Sequence, residues 1–220
     1  MPRTHESAPS ARTTVKQTAK RAHYDTETLY SIIDAALVGV VAVSIDNEPF
    51  AMPMMVARLG DAIYLHGSRT SRLIKHISAG HSVCVTFNHI DGIVVARSGM
   101  HCSANYRSAV VHGVGRVIEG EEKTQYLMDI VYAIIPSSQG DYRAIQDNEL
   151  KATSLIEIPL DEAACKVRTG GPIDDKDDLS LPYWAGVIPL HHVYGEPIPA
   201  SDLAQGIAIP EYALKFPLRS

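Results

Sequence analysis

The chain alternates short β-type runs with two stretches whose apolar residues recur every three to four positions. Leu29, Ile32, Ile33 and Ala36 mark the inner face of a helix over residues 27–36, with Asp25 or Thr26 as its cap. The run 38–45 is nearly all β-branched, which predicts a strand covered on both faces. A turn at 46–49, a strand over 50–59, a hairpin turn at Gly60 and Asp61, and a third strand over 62–66 predict an antiparallel meander. Leu73, Ile74 and Ile77 supply a short helix that stops at Ala79 and Gly80. Alternation then predicts strands at 82–88 and 93–96 around a turn at Asp91 and Gly92, and a loop over 97–105. A long strand over 106–118 contains Gly113 and Gly115, which mark a bend or the close approach of something bulky. Residues 121–135 form the second periodic helix, ended by Pro136. Residues 137–150 are polar with room for a helical turn, and strands follow at 152–158 and 163–168. Seven or eight short strands with few helices predict a mainly β fold, an antiparallel barrel closed to remove exposed edges.

Composition narrows the setting. The 220 residues are 45% hydrophobic, enough for one good core. A net charge of −5 argues against a general nucleic-acid binder. No run approaches the ~20 apolar residues of a membrane helix, and the polar start lacks the apolar segment of a signal peptide. Three cysteines, Cys84, Cys102 and Cys165, show no ligand spacing; they read as reduced thiols of a cytoplasmic protein, with Cys84 in a strand core. Residues 1–23 carry Arg3, Arg12, Lys16, Lys20 and Arg21 against Glu6 alone, with no Leu, Ile, Phe or Trp. That composition predicts a disordered basic tail, with a transit peptide as the lesser reading. The acidic run 174–178 lacks calcium-loop spacing and reads as a solvated loop. Residues 181–190 are too apolar for a free tail and are expected to pack on the domain or on a partner.

The candidate chemistry sits where the third strand hands over to the helix. Gly67 breaks the strand, Ser68 is a good N-cap, and Ser68, Arg69, Ser71 and Arg72 surround the turn. Hydroxyls, guanidinium groups and open backbone N–H groups together suit an anion, a phosphate above all. The plain alternative is a capped helix with a solvated basic face. His101 beside Cys102 is not expected to form a dyad, because neighbours in a loop rarely face each other, and His191 beside His192 has no evident third ligand for a metal.

Four motifs in order carry a resemblance: Phe50, Ala51, Met52, Pro53 and Met54; residues 63–68 with Ser71 and Arg72; residues 105–111 with Gly113; and residues 183–189. Together they resemble the FMN-binding split-barrel proteins, in the pyridoxamine 5′-phosphate oxidase-like branch that includes the 5-nitroimidazole-resistance proteins. The likeness covers about residues 25–195. It implies a six-stranded antiparallel split barrel over 24–195, a C-terminal extension over 196–220 on the barrel or partner, and a homodimer with FMN at the subunit interface. It places Met52, Pro53, Met54 and Met55 along the flavin ring, and His66, Gly67, Ser68, Arg69, Ser71 and Arg72 around its phosphate. Asn105, Tyr106 and Arg107 would lie near the ring or partner chain, with Trp184 capping the flavin. The full set of substrate-phosphate ligands of true pyridoxamine phosphate oxidases is not present, so that activity is not expected. The implied function is an FMN-dependent oxidoreductase acting on a small molecule, with no side chain needed as general acid or base. The alternatives are a non-catalytic FMN or haem store, with His66, His101 or His112 as axial ligand, and a regulatory dimer with a vestigial site.

Overall fold

The computed structural model describes residues 7–216. Its strands form two antiparallel sheets wrapped around one core, as the alternation predicted, but they are divided differently. β1 (Ala22–His23) precedes helix α1 (Thr26–Ala35), whose N-cap Asp25 accepts the Thr28 N–H. The predicted second strand is two elements: β2 (Val38–Ile45) pairs with β3 (Glu48–Met55), but after Val56 the chain crosses to the other sheet as β4 (Ala57–Leu59). β5 (Ala62–Ser68) pairs with β4 and leads into α2 (Arg72–Ser78).

The two strands predicted around Asp91 and Gly92 are one, β6 (Ser82–Val95), with the expected turn reduced to a register shift between Ile90 and Gly92. Pairing with a long partner, β7 (Ser103–Val114), overrides the local turn signal. Conversely, the predicted 106–118 strand breaks, and β8 (Arg116–Ile118) joins the other sheet. The break falls at Gly115, where a Cβ would lie 2.5 Å from Ile77 Cγ2 and 2.7 Å from Ile156 Cγ2. α3 (Glu121–Ile134), α4 (Asp147–Ala152), β9 (Thr153–Pro159) and β10 (Glu162–Arg168) follow close to their expected bounds. β11 (Gly186–Pro189) and a short α5 (Glu211–Leu214) end the elements. The larger sheet runs β1-β10-β7-β6-β2-β3, with β11 added to the far part of β6; the smaller runs β4-β5-β9-β8.

The core between the sheets holds Ile32, Ile33, Val41, Ile63, Leu65, Val85, Phe87, Val111 and Ile156, with Leu73, Ile74 and Ile77 of α2 as its plug. A second cluster, with Leu127 and Ile130 of α3, covers the outer face of the smaller sheet. Among the described residues, no helix covers the corresponding face of the larger sheet around β2 and β3. β2 buries only alternate residues, leaving Val38 and Val40 exposed beside Met55. This differs from the two-sided burial its sequence predicts: a β-branched run records high apolarity, not what covers each face.

The basic segment expected to be disordered is ordered from residue 7 onward; residues 1–6 lie outside the described residues. It is held by polar bonds, which a hydrophobicity argument does not register. Ser10 Oγ donates to Glu162 at 2.5 Å, the Val15 N–H donates to the Tyr24 hydroxyl at 3.0 Å, and β1 pairs with β10. Cys84 is half-buried on the outer side of β6; the core cysteine is Cys165, whose thiol burial pushes up to about 12. No helix among the described residues is long and apolar enough to cross a membrane.

Candidate functional site at the end of the fifth strand

Three elements meet where β5 ends. Gly67 lies flat against α2 and β3: a Cβ there would stand 3.0 Å from Ile74 Cγ1 and 3.6 Å from Met54 Cε. The Arg72 guanidinium, at the start of α2, sits 5.6 Å from the Phe50 ring centroid on β3. Arg72 is exposed and makes no ion pair among the described residues. The turn between β5 and α2 is rich in hydroxyls. Ser68 Oγ lies 2.8 Å from Thr70 Oγ1, and the Ser71 hydroxyl is not used as a helix cap. α2 has only seven residues, so anion affinity here rests on side chains and the first N–H groups rather than on a long helix dipole. Arg69 turns toward Glu119 at 3.9 Å, and its N–H donates to the Ala152 carbonyl.

Met52, Pro53, Met54 and Met55 lie on β3, the edge strand of the larger sheet. Met54 is half-buried against the core, while Met52 and Met55 are exposed. Alternation along β5 sends Gly67 inward and His66 and Ser68 to the opposite face. His66 opens on a cavity of about 490 Å³ with Leu127, Met128, Val131 and Ile145 on its apolar part and Asp141, Tyr142 and the Arg143–Glu149 ion pair on its polar part. His66 is exposed along one edge of its ring, and burial of the rest lowers its pKa from the usual 6.5, which favours the neutral imidazole.

The remaining predicted residues lie elsewhere in the chain. Asn105 is buried, accepts a hydrogen bond from Arg168 Nη1, and donates to the Gly170 carbonyl at 3.0 Å. Arg107 forms a bidentate pair with Asp91 at 2.8 and 3.0 Å, which holds the Asp91 carboxyl below the usual carboxylate range. Tyr106, half-buried between them, faces Ile90 and Arg168 across β7. Trp184 is 64% exposed and folds over Gly186, at the far end of β6. The β3 site aligns with Phe87 through Gly39, and Gly186 aligns with Val95. Eight residues of strand at ~3.3 Å each separate the two rows by up to roughly 26 Å. Within one chain the structure therefore brings Met54, Gly67 and Arg72 together and leaves Trp184 apart from them, while Asn105 and Arg107 are engaged with Arg168 and Asp91.

Sequence reasoning missed Arg168, Asp91 and Lys123. The Lys123 Nζ donates to the carbonyls of Leu150 and Thr153, both at 2.6 Å, beside the His66 cavity. Only the pairing of β10 with β7 exposes the role of Arg168, and no local pattern marks it. Of the other singled-out residues, His101 Nε2 lies 3.9 Å from Asp175, while Cys102 Sγ accepts the Ala96 N–H. His191 and His192 are exposed, on a separate cavity beside Asp91 and Arg107.

Two wrapped antiparallel sheets, with a hydroxyl- and arginine-bearing turn at the seam between an edge strand and a short helix, define a split-barrel protein. The model of the pyridoxamine 5′-phosphate oxidase family matches residues 25–167, and the chain belongs to that family. A flavocytochrome, Anf3 from Azotobacter vinelandii, is 37% identical; the match covers 95% of this chain and 98% of that one, with a TM-score of 0.90. A FAD and haem binding protein from Mycobacterium smegmatis is 33% identical, over 87% of this chain and 95% of that one, with a TM-score of 0.84. A protein from Bacteroides thetaiotaomicron assigned to 5-nitroimidazole antibiotic resistance shares the fold at 24% identity, over 66% of this chain and 86% of that one, with a TM-score of 0.55. No curated protein sequence matches the chain.

Proposed function

We propose that this chain is a flavin-binding redox protein that also holds a haem, with both groups seated around the end of β5. The observation that carries this reading is a single strand end. It joins a cationic, hydroxyl-rich turn to an imidazole facing a cavity with an apolar wall, in a chain 37% identical to a flavocytochrome over almost its whole length.

The residues fit a flavin phosphate. Ser68, Thr70 and Ser71 offer hydroxyls, and Arg72 offers a guanidinium that no carboxylate among the described residues neutralises. Ile74 and Met54 stand so close to Gly67 that a side chain there would crowd them, which leaves bare backbone at the turn. Edge strand β3 leaves backbone groups of its Met52–Met55 stretch available to the polar rim of a flavin ring. The turn suits FMN, which the sequence resemblance implies, and equally the phosphate nearest the ring in FAD.

The residues also fit a haem. A neutral imidazole is the form that ligates iron; Leu127, Met128, Val131 and Ile145 suit a porphyrin face, and Arg143 beside them suits its carboxylates. His112, weighed earlier beside His66, instead lies on the outer sheet face opposite Cys84 and Glu162; His101 lies in a loop beside Asp175. When bound, the flavin supplies hydride or one-electron chemistry and the haem one-electron chemistry. The chain's own residues would orient these groups, Arg72 by holding the phosphate and the β3 edge by offering backbone groups to the ring. No proton-transferring side chain is required, so a small reducible molecule that can stack on an open ring face is the substrate class.

A homodimer completes the flavin site. The uncovered face with Val38, Val40 and Met55 needs a partner, and a second copy would bring Tyr106 and Trp184 toward the ring that the first copy's β3 carries.

The test is an absorbance spectrum of the purified protein, then titration with FMN, FAD and hemin. Expected are near-ultraviolet and blue flavin bands, and a Soret band that His66→Ala abolishes or shifts. Protein that takes up neither a flavin nor hemin overturns the reading.

A further inference from the structure

We propose that His101, Asp175 and Asp178 bind a divalent transition-series cation, which clasps the loop between β6 and β7 to the acidic segment leading to Trp184. The site lies away from the end of β5 and does not depend on the cofactor reading. His101 is far from the two aspartates along the chain, so no local spacing marks the set.

Tertiary contacts bring the three together. Asp174, whose side chain is enclosed, accepts the Arg97 N–H at 2.9 Å and the Arg97 Nη1 at 2.8 Å. That bidentate grip docks the segment after β10 onto the β6–β7 loop. A tight helical turn over Lys176–Ser180, with Asp175 at its start, then puts Asp175 and Asp178 on one side, and the Asp178 N–H donates to the Asp175 carbonyl at 3.1 Å. His101 ends a second such turn, its N–H donating to the Ser98 carbonyl at 2.9 Å. One ligand atom from each of His101, Asp175 and Asp178 lies within 4.8 Å of the other two.

A second observation concerns the imidazole. The His101 side chain is only 31% exposed, yet neither ring nitrogen makes a hydrogen bond among the described residues. Its Nδ1 is enclosed without a partner, and its Nε2 stands 3.9 Å from Asp175. An enclosed polar group without a partner calls for an explanation, and an ion is one that fits here. Nor do the Asp175 and Asp178 carboxylates meet a guanidinium or ammonium group among the described residues, in contrast to Asp174. A direct imidazole–carboxylate bond would close to about 3 Å; the wider gap is what a bridging cation spans. Metal–ligand bonds of about 2.1 Å set ligand atoms roughly 3–3.5 Å apart. The Asp175 side chain, 80% exposed, is free to rotate that last distance. One nitrogen and two carboxylate oxygens suit Zn²⁺ or Mn²⁺ with water completing the shell, whereas Ca²⁺ takes roughly 6–8 oxygens.

The full chain, freed of metal with a chelator, is titrated with Zn²⁺, Mn²⁺ and Ca²⁺ by calorimetry, and native mass spectrometry counts the ions. Expected are one Zn²⁺ or Mn²⁺ per chain at micromolar affinity and a Tm raised by about 5–10 °C at roughly a hundredfold excess over Kd. His101→Ala, Asp175→Asn and Asp178→Asn are each expected to weaken binding roughly tenfold or more. Asp177→Asn, in the same acidic run, and the double substitution His191→Ala with His192→Ala are expected to keep wild-type affinity. Melts without metal check folding, and if His101→Ala unfolds the chain, the exposed Asp175→Asn decides. Absence of stoichiometric binding overturns the proposal. So does affinity that the three substitutions leave intact, loss that Asp177→Asn or the histidine pair shares, or Ca²⁺ held as tightly as Zn²⁺.

Discussion

The end of β5 and the far end of the β6–β7 hairpin contain similar residue types used in opposite ways. At the far end the arginines are tied to partners within the chain, although the buried Nε atoms of Arg168 and Arg97 have no hydrogen-bond partner. Arg168 is only 5% exposed and its guanidinium reaches Asn105 and the Gly170 and Gly171 carbonyls, while Arg107 grips Asp91. At the end of β5, Arg72 lies over an aromatic ring and Ser71 leaves its hydroxyl unused. Internal satisfaction builds structure; donors held in place without acceptors are what a ligand requires. An arginine in a sequence does not say which of these it does.

Substitutions can break that contrast. Asn105→Ala is expected to have the largest effect on stability, about 3 kcal/mol, because it removes an acceptor from a buried guanidinium. Chemical denaturation measures this, and an unchanged midpoint would make Asn105 a ligand residue after all. Arg72→Ala is expected to leave the midpoint within about 0.5 kcal/mol, since the side chain is exposed. It should weaken FMN roughly tenfold while sparing riboflavin, read by fluorescence quenching. Equal losses for both flavins would move the phosphate elsewhere.

Two pH profiles sharpen the comparison further. The folded-state pKa of His66 is below 6.5, so the unfolded chain binds more protons and stability rises with pH through that window. Hemin affinity is accordingly expected to hold steady above pH 6.5 and to fall only below it. For Asp91, the folded pKa is below 3.8; its pairing with Arg107 stabilises fully above that value and is lost as pH falls through the folded pKa. Both side chains are more than a third exposed, so Arg107→Ala should cost only about 0.5–1 kcal/mol near neutrality and nothing once Asp91 is protonated. The smallest effect belongs to Trp184→Ala, near zero on folding stability. A change in flavin fluorescence on that substitution would place the ring beside the tryptophan, as the dimer reading requires.

The sequence by itself determined the class of fold, the two periodic helices, most strand positions, and the place of the turn before Arg72, although the strand expected to break at Gly67 runs on to Ser68 and the N-cap is Ser71 rather than Ser68. Those features are local: alternation, capping and turn chemistry act within a few residues. Only the tertiary structure decided that 50–59 divides between two sheets, that the Asp91–Gly92 turn is absorbed into one strand, and that residues 10–23 lie along β10. It also decided that Asn105 and Arg107 are bound within their own chain, and that His66 faces a cavity with an apolar wall. Each of these depends on a partner far away along the chain, such as Arg168 for Asn105 or Glu162 for Ser10, and short-range patterns contain no term for such a partner.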